Sequence, residues 1–498
     1  MPTVIPDLLP PLVALLESSK WGRPEVGWAV GSRNEKVETR NPCQRFIQPG
    51  TLCGKNRQKP ESPYNDEGLT EIGFGESPQS PVPATENPNK LYHYSMNAIV
   101  PEFAADSSIQ LLSLALLIVQ LPAVVLLLWR LAKGPSRHAP IEPQAATLDL
   151  LGNVSVVVPT LNEADRIGPC LQGLSRQSYE VREILVVDSY SQDGTPDLVK
   201  AAGAKDPRFR LKNDDPLPPG WVGRPWALHN GFLASSDRSR WILGIDADTQ
   251  PAPGLVAGLV RTAEAEGYDV VSLSPQFILK YPGELLLQPA LLLTLVYRFG
   301  PTGTPSEGET RVMANGQCFL ARRSVLAKLE GYVSAKGSFC DDVTLARYAA
   351  SQGFKVGFLD GAKVLKVRMY EGARETWEEW GRSLDLKDAA TPGQTWRDVG
   401  FLFAVQALPL PILLGSLTLF LSGVGLQSRA WQCLLGLNGF LVLIRFALCA
   451  AIVPSYDLSQ ARFPGLFWLS PFADPLAALR ILLSALQTPK QWRGRTYS

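Results

Sequence analysis

WILGIDADT, residues 241–249, is the stretch on which the reading of this chain turns. Apolar residues of a strand run straight into Asp-Ala-Asp, and strand alternation puts Asp246 and Asp248 on one side of the backbone. Two carboxylates at a strand's end repel unless a cation sits between them. Mg²⁺ or Mn²⁺ suits such a hard-oxygen pair, and either ion tends to be shared with the phosphates of a substrate. An Asp-x-Asp in a loop carries little information, but one that abuts a core strand points to a site.

Outward from this strand, apolar β-branched runs recur at 154–158, 183–187, 208–212 and 269–273, each followed by a helical pattern. Near-continuous apolar strands alternating with helices predict an α/β domain with a mostly parallel sheet covered on both faces. Thr195-Pro196 reads as an N-cap and first-turn proline, and Gly353 as the glycine closing a helix over 342–352. Ligands of such sheets bind at the carboxyl ends of the strands, where four polar motifs fall. VSVVVPTLNEADRI (154–167) turns from strand to helix and offers a rim for an anion or a base. EILVVDSYSQDGT (183–195) places Asp188 at a strand end, while Asp193-Gly194 reads as turn chemistry. PPGWVGRPWALHNG (218–231) holds Arg224 between two tryptophans, either as a diphosphate ligand or as part of a surface loop. GSFCDDVTLARYAASQG (337–353) sets Asp341 and Asp342 at a helix start, either as charges favouring the helix dipole or as a general base.

The flanks differ in kind. The 498 residues carry 48 Lys+Arg against 47 Asp+Glu, a balance that argues against a nucleic-acid binder. Charged residues make up 19%, below the roughly 25% of a soluble domain, so the deficit is concentrated in particular segments. Seven cysteines without a CxxC pair and three scattered histidines exclude a disulfide scaffold and the common zinc motifs. Residues 1–95 are rich in Pro, Gly, Asn and Ser, and read as a disordered leader or an over-extension of the reading frame. An uncharged run at 109–129, within a transmembrane helix expected over 107–131, is succeeded by Arg130, Lys133 and Arg137; the positive-inside bias puts the α/β domain in the cytoplasm. A C-terminal membrane region over 399–488 holds two expected spans, 401–421 and 431–453. The second contains Arg445, which should face protein or a lipid headgroup. The stretch 464–486, broken by Pro471, Asp474, Pro475 and Arg480, reads as re-entrant or interfacial.

Taken in order, VVVPTLNE, Asp188, GIDADT and CDDVTLAR resemble glycosyltransferase family 2 over about residues 150–385. The resemblance implies a GT-A fold and an inverting, metal-dependent hexosyltransferase using a nucleotide-sugar, most simply a UDP-sugar. It implies donor binding by Pro159, Thr160, Glu163, Asp188, Arg224, Asp246 and Ala247, metal binding by Asp248 and Asp246, and Asp342 as the catalytic base. Two departures stand out. Ser189 occupies a position where many members carry a second acid, and the Gln-x-x-Arg-Trp motif of processive polysaccharide synthases is missing; RMYEG (368–372) and ETWEEWGRSL (375–384) stand in its approximate place. The layout of one helix before the domain, GWVGRPWAL within it and WRGRTY at the end is similar to bacterial membrane enzymes that glycosylate carotenoids, such as hydroxychlorobactene glucosyltransferases. The expected acceptor is therefore a lipophilic, hydroxylated molecule in membrane lipid. The segment 284–299 and the Trp377/Trp380 helix are expected to lie against the bilayer. The alternatives are a polyprenyl-phosphate sugar or polysaccharide synthase of the same fold, or a non-catalytic membrane scaffold.

Overall fold

A computed structural model describes residues 93–380, 384, 386–422, 428–487, 491, 492, 495 and 496. The leader expected at 1–95 falls, up to residue 92, outside the described residues. The chain enters through helix α1 (His93–Leu131) and then builds a seven-stranded sheet. Its strands and helices run in order as β1 (Val154–Thr160), α2 (Ile167–Ser175), β2 (Val181–Asp188), α3 (Thr195–Lys205), β3 (Phe209–Asn213), α4 (Gly223–Ala234) and β4 (Trp241–Ile245). After β5 (Thr249–Pro251) come α5 (Leu255–Ala265), β6 (Val270–Ser274), β7 (Gln276–Ile278), α6 (Pro282–Phe299), β8 (Cys318–Arg322), α7 (Arg323–Lys328), α8 (Asp341–Ser351), β9 (Val356–Asp360) and β10 (Leu365–Val367).

The order across the main sheet is β3-β2-β1-β4-β8-β6-β9. Neighbours are parallel except β8, which runs antiparallel to both β4 and β6. β4 is buried along its whole length, and β1 and β2 along nearly all of theirs, as continuous Val/Ile/Leu runs require when helices cover both faces. The α/β reading holds; in the main sheet, β8 (Cys-Phe-Leu-Ala-Arg) and β9 (Val-Gly-Phe-Leu-Asp), which lack a β-branched run, are the strands that sequence pattern missed. One helix signal is corrected. The N-cap of α3 is Gly194 at φ 89°, so Thr195 is already helical, and its hydroxyl instead accepts from the backbone N–H of Glu163. α2 lies close enough to β5 that a Cβ at Gly173 would come within 2.4 Å of the Pro251 carbonyl oxygen.

A second, four-stranded sheet joins the metal-type motif to the C-terminal helices. β5 begins one residue after Asp248 and pairs antiparallel with β10; β10 pairs with β7, and β7 with β11 (Tyr456–Asp457). β11 comes almost directly after a long apolar helix. The Lys366–Asp457 ion pair (2.6 Å) closes the strip across β7.

Beyond β10 the chain forms α9 (Gly372–Glu375), α10 (Pro392–Leu402), α11 (Pro409–Leu421), α12 (Arg429–Ile452) and α13 (Asp474–Leu486). Among the described residues, three segments are long and apolar enough to cross a membrane: Ser107–Ser136, Arg429–Ser455 and Pro464–Leu486. The straight span expected at 401–421 is instead a bent pair, Pro392–Ala407 and Pro409–Leu421, meeting at 42°. Pro409 has no N–H with which to continue the ladder, and a wide turn at Phe403–Ala407 precedes it. Segment 464–486 is a 3₁₀ stretch running into α13 rather than one uniform helix. Buried polar pairs join these helices. Gln120 of α1 and Asn438 of α12 exchange two hydrogen bonds of 2.9 and 3.0 Å, and Arg445 Nε meets Asp474 Oδ2 at 2.7 Å. Arg445 thus faces protein, as an ionisable group at membrane depth must.

α6 and Trp380 depart from the expected bilayer contact. α6 packs against the 464–473 segment and α13, and most of its side chains are buried. Glu284, wholly buried in its first turn, receives both ends of the Arg368 guanidinium (2.7 and 2.8 Å) and three backbone N–H groups. A carboxylate so placed fixes the helix inside the protein. Trp380 is buried and packs at a tilt against Phe277 and Tyr370.

Candidate active site

The carboxyl ends of β1 and β4, the start of α4 and the start of α8 converge. Asp246 leaves β4 on the residue after the strand, and Asp248 stands two further on. The Thr249 hydroxyl donates to the Asp246 carbonyl at 2.7 Å and tightens the turn between them. Both acids line the same two cavities, held there by the turn rather than by strand alternation, since β4 ends at Ile245 and Ala247 between them lines the smaller cavity too. The smaller cavity, about 50 Å³, is also lined by Pro159, Thr160, Glu163, Arg224 and Ala247. The larger, about 940 Å³, shares Arg224, Asp246 and Asp248 with it and adds Asp341 and Asp342. The structure thus gathers every expected site residue except one. Asp188 is fully buried and its oxygens are occupied by Thr160, the Ser191 hydroxyl and the Ser191 backbone N–H. It ties β1 to the loop after β2 and lines neither cavity. Its neighbour Ser189 lines the smaller cavity and donates to Asp214 at 2.6 Å.

Arg224 is the centre of the charge arrangement. Its Nε and Nη2 donate to Asp246 Oδ1 at 3.0 and 2.9 Å, its Nη1 donates to Asp341 Oδ2, and Nη2 also reaches the Gly316 carbonyl at 2.7 Å. Burial opposes its charge, but Asp246 and Asp341 more than offset that and hold the guanidinium well above its ordinary pKa. The alternative of a free surface arginine is excluded. The sequence leaves Asp341 open as a helix-start charge or a general base; it is 3% exposed and joins α8 to the end of β4 through Arg224. Its signal was the doubled acid, which did not say which member faces inward.

Asp342 is half-buried in the larger cavity. Burial, then the adjacent charge of Asp341, push its carboxyl up to about 7. A carboxyl at that value exchanges a proton near neutrality, the property required of a general base.

Among the described residues, no three His, Cys, Asp or Glu side chains are grouped closely enough to hold a metal ion by themselves. A divalent ion here would take hard oxygens from Asp248 and Asp246 and complete its shell with ligand phosphates and water. That donor set fits Mg²⁺ or Mn²⁺.

The site is thus a set of acids and one arginine at the strand ends of a mixed α/β domain, joined to helices long and apolar enough to cross a membrane. Residues 155–330 match the family model described as Glycosyl transferase family 2, so the α/β domain of this chain is a glycosyltransferase family 2 domain. A 4,4'-diaponeurosporenoate glycosyltransferase of Staphylococcus haemolyticus (strain JCSC1435) is 26% identical over 243 residues, 48% of this chain and 63% of its own length. The succinoglycan biosynthesis protein ExoO of Rhizobium meliloti (strain 1021) is 32% identical over 154 residues, 29% of this chain and 42% of its own. The chain therefore spans under two thirds of the length of these curated relatives. Among solved structures, a mannosyltransferase of Pyrobaculum calidifontis in complex with GDP-Man and Mn²⁺ aligns with a TM-score of 0.41 at 18% identity, over 74% of this chain and 98% of its own.

The position of Asp342 has a thermodynamic consequence. Its folded-state pKa lies above the unfolded value, so the native state holds the proton more tightly. The stability this adds is complete below the ordinary carboxylate range and is lost as pH rises to about 7. Asp342→Asn removes that loss. The melting temperature of Asp342→Asn should exceed the wild type's at pH 8, and the gap should close as the pH is lowered to 5. A lower melting temperature at pH 8 would show that contacts to the ionised carboxylate outweigh its burial.

Proposed function

We propose that the chain is an integral membrane, inverting hexosyltransferase that moves a sugar from a nucleotide-sugar, most simply a UDP-sugar, to a hydroxyl of a lipophilic acceptor such as a carotenoid. One observation carries this reading. The cavity that holds Arg224, Asp246, Asp248 and Asp342 is also lined by Leu448, Ala451 and Ile452 of α12, a helix able to cross a membrane. A polar transfer site and an apolar helix thus share one space. The name of the staphylococcal relative supports a lipophilic acceptor, there one whose polar end is a carboxylate.

In this reading the donor lies along the rim of Pro159, Thr160, Glu163 and Ala247, with its diphosphate toward Asp246 and Asp248. Those two acids would hold Mg²⁺ or Mn²⁺, which offsets charge on the leaving diphosphate. Arg224 keeps Asp246 and Asp341 in place and adds a positive charge beside the diphosphate. Asp342 accepts the proton of the acceptor hydroxyl as that oxygen attacks the anomeric carbon. The new carbon–oxygen bond forms on the face opposite the old one, which breaks to release the nucleoside diphosphate. Lys133 and Arg137 after α1 support a cytoplasmic side for the domain in this reading.

Asp342→Asn should keep nucleotide binding and lose about 10²–10⁴-fold in turnover. Wild-type kcat/KM should fall with unit slope as the pH drops below about 7, where Asp342 takes up a proton; a profile flat to pH 5 would remove it as the base. Asp248→Asn should abolish Mn²⁺ binding in the presence of UDP, read by electron paramagnetic resonance on the purified chain. Unchanged Mn²⁺ binding would move the metal elsewhere. Lys200→Cys, an exposed position on α3, in a background with Cys43, Cys53 and Cys433 all changed to Ser, should resist a membrane-impermeant thiol reagent in intact cells and react after lysis. Labelling from outside would reverse the orientation.

A further inference from the structure

The 940 Å³ cavity is larger than a transfer site alone needs, standing near the top of the roughly 300–1,000 Å³ range of ligand pockets. Its shape is set by what encloses it. One wall is α6, through Leu292, Leu295, Val296 and Phe299. A second is the turn after α9, through Trp380 and Leu384, with Tyr370 ahead of it. The third is α12, where Leu448, Ala451 and Ile452 line the cavity on successive turns. Ala451 is exposed and Ile452 is buried, so this end opens at the surface of an apolar helix rather than within the protein.

The roof is the long connection 300–317 between α6 and β8, which contributes Val312, Met313 and Ala314. It is fastened to the apolar helices at several points. Glu307 meets Lys133 at 2.9 Å and Arg130 at 3.4 Å, both at the end of α1. Arg311 forms a bidentate pair with Asp398 of α10, with contacts of 2.8 to 3.1 Å. Gln394 of α10 donates to the Thr310 carbonyl at 3.2 Å. Bidentate arginine–carboxylate pairs fix orientation as well as distance. The helices that would sit in lipid therefore hold the cover of the cavity that reaches Asp342. A second, polar arm of the cavity runs to Arg137 and Lys355 beside β9.

We infer that this cavity is the binding site for the hydrocarbon chain of the acceptor. The chain enters from the bilayer past Ala451 and Leu448, lies along Phe299, Met313 and Trp380 beneath the 300–317 roof, and presents its single polar end to Asp342. The occupant is a long membrane-dissolved chain with one polar end. The apolar opening on a spanning helix admits such a molecule from lipid, and the polar donor rim on the far side of Asp246 and Asp248 does not suit it. The inference rests on the transferase reading for the role of Asp342, but not for the existence of the chain site.

The test separates the two. cis-Parinaric acid, a fluorescent polyene with one carboxyl end, is titrated into the full chain in detergent micelles, with no donor present. Wild type should give saturable binding. Ala451→Trp fills the mouth and should weaken that binding by roughly tenfold or more, with Ala451→Phe intermediate. Leu443→Trp, two turns away on the same helix, 70% exposed and outside the cavity, should bind as wild type does. Thermal melts of the same preparations report folding. Equal binding in wild type and Ala451→Trp, or non-saturable partition in every variant, would overturn the chain site. Saturable, mouth-dependent binding in a protein that neither hydrolyses nor transfers from nucleotide-sugars would overturn the transferase reading and leave the chain site standing.

Discussion

Two carboxylates, Asp246 at the end of β4 and Asp341 at the start of α8, are drawn together by one guanidinium. Without Arg224 the two acids would repel across a space of low polarity, and α8 would have no charged tie to the sheet. Removing one partner from such a buried set typically costs about 3–5 kcal/mol, because the remaining charge is stranded. With Arg224 in place, Asp341 is spent on structure and Asp342, the next residue along the helix, turns into the cavity. Successive helical residues point about 100° apart, so the first acid anchors the helix and leaves the second available. The charge on the anchored acid in turn helps raise the pKa of the available one.

The fold was legible where side-chain pattern and burial coincide. The runs at 154–158, 183–187 and 241–245 are strands because they are covered on both faces, and the structure places them at adjacent positions. β8 was not legible, since its residues carry no periodic signal and its antiparallel place comes from tertiary pairing with β4 and β6. The same holds for β5, β7, β10 and β11, each of two or three residues and stable only as a strip. Pro409 was in plain view within the expected span 401–421, but its consequence depended on the wide turn before it. α6 was misplaced for a clear reason. Apolar sequence alone does not separate a helix facing lipid from one facing protein, and the buried Glu284–Arg368 pair that decides it joins positions far apart in the chain.

The site divides in a similar way. Asp246 and Asp248 were legible from the strand end, and Pro159, Thr160, Glu163, Arg224, Ala247 and Asp342 from the family resemblance that the motif order carries; the structure brings all of them to two cavities that share Arg224, Asp246 and Asp248. Asp188 occupies the expected strand end but spends its oxygens on Thr160 and Ser191. A sequence shows that an acid is present at a strand end; it does not show which hydrogen-bond donors the neighbouring loop supplies. The structural role of Asp341 was hidden for the same reason, since its partner lies 117 residues away.

The four-stranded strip bears on how the protein can be divided. Two features place its edge strand on the far side of the last long helix: β11 comes after α12, and the Gln276 side chain also donates to the Pro454 carbonyl at 3.0 Å. The strand sequence that stiffens the turn after Asp248 is therefore completed by residues synthesised after most of the apolar region. A water-soluble fragment ending before α10 would keep every acid of the site and lose β11. Domain boundaries drawn by hydropathy would cut through the framework that holds the Asp-x-Asp turn. The apolar helices and the α/β domain thus belong to one compact unit.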